Sequence, residues 1–342
     1  MLRSCIGIAA LVLSLLPSAV KAEPVTLKLA FFTSDRAIGY RASAKPFLEA
    51  VNAEGKGLVE IVLYSGGVLG RDIALQPKVV LDGVADIAFV VPGYTPQLFP
   101  NNAVVELPGL FRNTREGTLA YTRLIARSML SGYDDFVVLG AYVTEPETIH
   151  SRVPIASIDD LKGKRVRVNN PIQGAALSLL GATPVPMPII QVASAISGGT
   201  LDAASVPRTP LADYGIKRVA AHHFMLDTSG APLALLMNRK TFAALPRAAQ
   251  NLILKYSGEW TAARFIETYD ASDNQVLEQL KADGNRKIVY PSAADRERAQ
   301  TAFSAVIAKW TEEAPRNKEL LDLVQAELAA LRATREVLDG RN

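Results

Sequence analysis

The chain has 342 residues and carries 37 lysines and arginines against 34 aspartates and glutamates. That near balance leaves no electrostatic footprint for nucleic acid, and the one cysteine, Cys5, excludes a disulfide framework. Residues 1–22 read as a signal peptide: Arg3 supplies the positive start, 5–20 is mostly apolar, and Val20-Lys21-Ala22 suits cleavage near Ala22. Ser4, Ser14, Pro17 and Ser18 interrupt the apolar run, which is poor for a permanent membrane helix. The remainder exceeds the size at which a single core stops growing, so two lobes are expected.

Residues 25–30 alternate as a strand and run into the loop Phe31-Phe32-Thr33-Ser34. Tyr40, Ala44, Phe47, Leu48 and Val51 then recur at helical spacing, with Pro46 kinking that helix or marking its start. Val59, Ile61 and Leu63 alternate again up to Ser65-Gly66-Gly67, a helix is expected over 71–81, and 86–91 reads as a buried strand. Such a strand and helix alternation implies a parallel sheet with helices packed on it. After a strand over 136–141, the second lobe begins at 142 with strands at 164–169, 184–187 and 201–206 and a helix at 189–197. Residues 233–237 read as a return strand into the first lobe. Lobe I is therefore assigned 23–141 and 231–271, and lobe II 142–230 and 272–342.

One internal match supports two related lobes. Gly83-Val-Ala-Asp86 and Gly199-Thr-Leu-Asp202 share Gly-x-x-Asp, each after an apolar helix and before a strand ending in valine. Pro246 opens a helical stretch to about Asp283, which as one continuous helix reaches roughly 60 Å and spans both lobes. In the tail, Ala299, Ala302, Phe303, Val306, Ile307 and Trp310 form one apolar stripe and Leu320, Val324, Leu328 and Leu331 another, as packing surfaces.

The 164–169 strand puts Val166 and Val168 on one face and Arg165, Arg167 and Asn169 on the other. A cationic strand face is either a solvated edge or a place where an anion is held. The surrounding residues bear on the choice: Leu161-Lys162-Gly163, Arg167-Val168, Leu180-Gly181-Ala182 and Pro184 to Met187 resemble the pattern of solute-binding proteins from TRAP (tripartite ATP-independent periplasmic) transporters. Leu69-Gly70-Arg71-Asp72, Leu81-Asp82-Gly83, Asp86, Leu107-Pro108 and Phe111 extend the likeness over nearly the whole mature chain. The resemblance implies an α/β, two-lobed periplasmic binding protein of Venus-flytrap form, with mixed, mostly parallel sheets and a long lobe-spanning helix. It also implies that Arg167 pairs with a ligand carboxylate and that TRAP-type membrane permease subunits receive the ligand. A planar guanidinium suits the role, because it offers two parallel donors to a carboxylate.

Ligands of open parallel sheets bind beyond the carboxyl ends of the strands. The candidate contacts there are Phe31, Phe32 and Tyr94 on the first rim and Arg167, Asn169, Ile189, Val206 and Arg208 on the second. Two charge-assisted bonds supply roughly 3 to 6 kcal/mol, short of the about 8 kcal/mol of micromolar affinity, so apolar walls must supply the rest. The chain departs from the family at Gln191-Val192-Ala193, where Glu-Val-Tyr is common, and at Val206, where a polar residue often touches the ligand. A second arginine of some members falls at Pro146, with Arg152 and Arg208 close enough in sequence to substitute. The less polar wall favours a monocarboxylate with an apolar body over a C4-dicarboxylate.

Enzyme readings find little footing. Of the three histidines, His150, His222 and His223, the last two are adjacent and cannot lie on one helical face as i, i+4 ligands, and no Gly-x-Ser-x-Gly elbow occurs. Gly66-Gly67-Val68-Leu69-Gly70 lacks the Lys-Ser/Thr ending of a phosphate loop, and Asp159-Asp160 reads as capping charge. No metal or cofactor is expected. A sensory module presenting its ligand to a receptor, or an enzyme using the same cleft, remain the alternatives.

Overall fold

A computed structural model describes residues 23–339; the leader expected over 1–22 lies outside them. Its strands are β1 (Val25–Ala30), β2 (Val59–Tyr64), β3 (Ile87–Val90), β4 (Phe136–Val143), β5 (Thr148–Ser151), β6 (Arg165–Val168), β7 (Thr183–Pro186), β8 (Ala203–Val206), β9 (His222–Phe224), β10 (Pro232–Asn238) and β11 (Lys287–Val289). The α-helices are α1 (Lys45–Glu54), α2 (Gln76–Leu81), α3 (Thr114–Ala126), α4 (Pro171–Leu179), α5 (Ile189–Ser197), α6 (Ile216–Val219), α7 (Arg239–Ala244), α8 (Arg247–Lys255), α9 (Glu259–Ala282), α10 (Ala293–Glu313) and α11 (Pro315–Asp339).

The strands form two sheets, ordered β2-β1-β3-β10-β4 and β11-β9-β5-β8-β6-β7. Both are mixed and mostly parallel: β10 runs against its neighbours in the first and β5 in the second. Those reversed strands follow from the chain's path. It leaves the first sheet through β4 and enters the second through β5, then returns from β9 into β10. The crossing segments, 144–147 and 225–231, hold each other by backbone bonds from Thr144 N to Ala231 O (3.1 Å), Glu147 N to Ser229 O (2.9 Å) and Thr228 N to Glu147 O (2.9 Å).

The internal match has a structural counterpart in both sheets. Asp86 precedes β3 and accepts from Lys28 N of β1 at 2.7 Å, while Asp202 precedes β8 and accepts from Arg165 N of β6 at 3.0 Å. Gly83 and Gly199, ahead of them, adopt φ of 73° and 74°, left-handed values that end a helix at little cost only with glycine. The same short motif thus turns an apolar helix into the strand beside the sheet's first strand in each lobe.

Alternation places Leu27, Leu29 and Ile61 in one face of the first sheet against Phe47 and Phe265, and Ala88, Val90 and Leu236 in the other against Tyr121. Each large side chain so buried contributes about 1.5–3 kcal/mol. In the second sheet, Val166 and Val168 pack with Leu177 and Phe303, while Val206 and Ala204 pack with Val192, Ile196 and Leu280.

Pro46 lies in the first turn of α1, as expected of a helix start, and a π-helical turn at Tyr40–Ala44 leads into it; the wider turn accommodates a residue that has no N–H to give the preceding turn. Two expectations are revised. The stretch from Pro246 is interrupted at 256–258, giving α8 and α9; α9 alone, 24 residues or about 36 Å, joins the lobes, with Phe265 and Tyr269 in the first core and Leu280 in the second. Finally, the block 272–342 is split. Ala299, Phe303 and Val306 pack under the second sheet, whereas Trp310, Leu320, Val324 and Leu328 join the first-lobe core, because the apolar stripe of α11 finds its partner in α3.

Candidate functional site

Between the sheets, at the carboxyl ends of β1, β3, β6 and β8, lies a cavity of about 60 Å³. Its wall is largely apolar, with Phe32, Phe89, Tyr94, Tyr214 and Tyr269 supplying rings and Ile38, Val91, Ile189, Pro207, Pro210 and Leu233 among the rest. Arg167 is the one cation among the described lining residues; Glu147 and Asp213 are the acids. For comparison, an apolar cavity of about 150 Å³ takes benzene. A single ring therefore fits only when this cleft widens.

Arg167 sits on β6, between β7 and β8, and is only 1% exposed. Its Nε donates to Met187 O and Nη1 to Ser205 O, both at 2.9 Å, while Nη2 donates to Tyr94 Oη at 2.7 Å and Asn169 Oδ1 at 3.2 Å. Two carbonyls fix the plane of the guanidinium, and the Nη2 edge faces the cleft. The solvated-edge reading of this strand face fails for Arg167 but holds for Arg165, whose Nε and Nη2 grip Asp202 at 3.0 and 2.9 Å near the surface.

Around the guanidinium the second rim is built by local rules. Asn170 caps α4 by accepting from Gln173 N at 2.8 Å, Pro171 opens the helix, and Gln173 Oε1 in turn accepts from Asn169 N at 2.7 Å. Asn169 Nδ2 is buried and has no hydrogen-bond partner among the described residues. Gln173 Nε2 donates to Ser205 Oγ at 2.9 Å and to Glu147 Oε2. Glu147, 1% exposed, titrates at about 7, raised by burial and opposed by the nearby Arg167.

Several bonds cross the cleft. Tyr94 Oη, from the first lobe, accepts from both Arg167 Nη2 and Ile189 N (3.0 Å). Asp213 Oδ2, from the second lobe, accepts from Ile38 N at 2.9 Å. Asn170 Nδ2 donates to Glu106 Oε1 at 2.9 Å; Glu106, 3% exposed, is pushed up to about 8 by burial and then by Glu147. These lobes are shut on each other.

Of the residues expected from sequence, Arg167, Asn169, Phe32, Tyr94 and Ile189 line the cavity, and Phe31, Val206 and Arg208 do not. Phe32 lines the cleft, while Phe31 lies behind it, stacked on Phe32 at 5.7 Å and on Phe89 at 4.8 Å between ring centroids. Val206 points into the second-lobe core, and Pro207 takes the place at the wall. Arg208 makes a two-pronged pair with Asp273 of α9 at 2.8 and 2.7 Å, while Arg152 joins Asp202; neither cation lines the cavity. Sequence reasoning passed over Glu147, Asp213, Tyr214 and Tyr269. For Glu147 the signal was Glu145-Pro146-Glu147 at the lobe boundary, where two acids flank a proline in a segment that must be buried.

Comparison with known proteins places these features in company. The family model described as bacterial extracellular solute-binding protein, family 7, matches residues 32–313. A crystal structure of a TRAP solute-binding protein from Rhodoferax ferrireducens, in complex with copurified benzoate, is 25% identical with a TM-score of 0.85, covering 91% of this chain and 99% of that one. A marine metagenome TRAP solute-binding protein, specific for aromatic acid ligands and bound to metahydroxyphenylacetate, is 26% identical with a TM-score of 0.82, covering 90% and 99%. The outer membrane transporter protein TsaT of Comamonas testosteroni is 26% identical over 336 residues, 94% of this chain and 97% of its own length.

Proposed function

Because the chain belongs to family 7 of the bacterial extracellular solute-binding proteins, we propose that its cleft captures an aromatic monocarboxylate in the periplasm and yields it to a TRAP-type permease. The observation that carries the ligand class is the pairing of one buried cation, Arg167, with a wall of rings from Phe32, Phe89, Tyr94, Tyr214 and Tyr269. Benzoate and metahydroxyphenylacetate in two similar structures support the same class.

The carboxylate meets Arg167 and Asn169 Nδ2, and the phenol of Tyr94, which already accepts twice, has its own O–H to donate. Such charge-assisted bonds contribute roughly 1.5–3 kcal/mol each, and burying a ring adds a comparable amount. Closure follows because Tyr94 on one lobe and Arg167 on the other reach the same ligand, which therefore favours the shut form by its differential affinity. No covalent step is involved. A ligand held this way leaves with its mass unchanged.

Thermal unfolding with benzoate, 3-hydroxybenzoate, phenylacetate, succinate and galacturonate tests the reading. At 100 times Kd a bound acid adds about 2.7 kcal/mol, a shift of roughly 4 °C in Tm for a chain of this length. The aromatic monoacids should produce it and succinate should not; a shift with succinate or galacturonate alone would reject the ligand class.

A further inference from the structure

We propose that Asp213 fixes the charge of the ligand: its carboxylate fastens the cleft at the mouth of the cavity and rejects an acid carrying a second negative group. The inference rests on the reading of the cleft as a site for aromatic acids and adds the residue that limits them to one carboxylate. Asp213 Oδ2 accepts from Ile38 N at 2.9 Å, across the cleft, at the first turn of the helical segment leading into α1. The bond suits a carboxylate, since backbone N–H groups at a helix start have no partner within the helix. The same residue lines the cavity and is exposed to solvent, which puts its carboxylate at the mouth.

Charge inventory carries the rest. Arg167 is the one cation among the described lining residues, and Glu147 and Asp213 share the wall with it. Arg208 is committed to Asp273, and Arg152 and Arg165 to Asp202. Arg41, on the helical turn beyond Ile38, attracts Asp213 but does not line the cavity. A first carboxylate is matched by Arg167. A second, at the far end of a ring, meets Asp213 at the mouth with no lining cation to offset like-charge repulsion.

Calorimetric titration of the full chain with benzoate, terephthalate and 4-nitrobenzoate separates charge from shape, because the nitro group matches the second carboxylate in size without its charge. The wild type should bind 4-nitrobenzoate at least tenfold tighter than terephthalate. Asp213→Asn keeps an oxygen for Ile38 N and removes the charge: the gap between 4-nitrobenzoate and terephthalate should shrink to less than threefold. Asp213→Ala removes the fastening too, and should weaken benzoate at least fivefold. A gap that stays above tenfold in Asp213→Asn, or a wild type that takes terephthalate as well as 4-nitrobenzoate, overturns the role of Asp213 while leaving the aromatic-acid site standing. A wild type that binds none of the three overturns that site and the inference with it.

Discussion

Replacing Arg167 by lysine is the substitution that isolates what the guanidinium does. The wild-type side chain spends Nε on Met187 O, Nη1 on Ser205 O, and Nη2 on Tyr94 and Asn169, so its plane is set by the protein before a ligand arrives. Lysine keeps a positive charge beside Glu147, yet it is a point donor that cannot satisfy two carbonyls and also reach Tyr94, Asn169 and a ligand in one plane. Losing one charge-assisted bond to the ligand costs about 1.5–3 kcal/mol, which is roughly ten- to hundredfold in Kd. Alanine is the poorer probe here. It leaves Met187 O and Ser205 O without their donor and Glu147 without the nearby cation that opposes its burial, so lost folding and lost binding become confounded. The assay is calorimetric titration of Arg167→Lys with benzoate, alongside thermal unfolding of the same preparation. A folded variant whose Kd for benzoate stays within threefold of wild type would refute the role given to the guanidinium.

Other substitutions test the cleft from its remaining sides. Tyr94→Phe deletes the acceptor shared by Arg167 Nη2 and Ile189 N; it should weaken benzoate by about 1 kcal/mol, roughly fivefold, and enlarge the radius of gyration measured by small-angle scattering, whereas an unchanged Kd would remove Tyr94 from the ligand shell. At Gly93 a Cβ would stand 2.3 Å from Glu106 Oε1 and 3.0 Å from Asn169 Nδ2, so Gly93→Ala should cost about 1–3 kcal/mol of stability by overpacking, read as a lower Tm. Glu106 and Glu147 titrate at about 8 and about 7 in the folded chain, above their usual value of 4.5. A carboxyl raised on folding supplies stability that is complete below its unfolded pKa and lost as pH climbs through the folded one. Tm should accordingly fall between pH 5 and 9, and Glu106→Gln should flatten the fall; an equally steep fall in that variant would assign the loss elsewhere.

Much of this architecture is legible from side-chain period alone. Leu27 and Leu29, or Val166 and Val168, announce strands because only a half-buried sheet gives a repeat of two, and the paired Gly-x-x-Asp motifs mark the same turn in both lobes. Arg167 is legible through its strand face and its surroundings together, since neither an Arg-x-Arg nor a family likeness fixes where a side chain points. What alternation cannot supply is the partner of a stripe. Leu320, Val324 and Leu328 are visibly a packing face, but whether they meet the first lobe or the second depends on where α10 delivers the chain. The break at 256–258 was hidden for a related reason: Tyr256 and Trp260 continue the apolar pattern, and their edge-on ring contact at 4.9 Å forms across the break. Asp213, Tyr214 and Tyr269 escaped notice because their positions at the cavity are set by the meeting of the lobes and by α9, neither of which a local window contains.

Benzoate and benzamide differ at the group that Arg167 is held to grip, and in little else that the ring pocket can sense. Titrating both into the wild-type protein at pH 7 and low salt measures that difference directly. The account predicts a benzoate Kd in the micromolar range or below and benzamide weaker by at least a hundredfold; equal affinities would mean that the cleft does not read a negative charge, and that Arg167 is buried there for another reason.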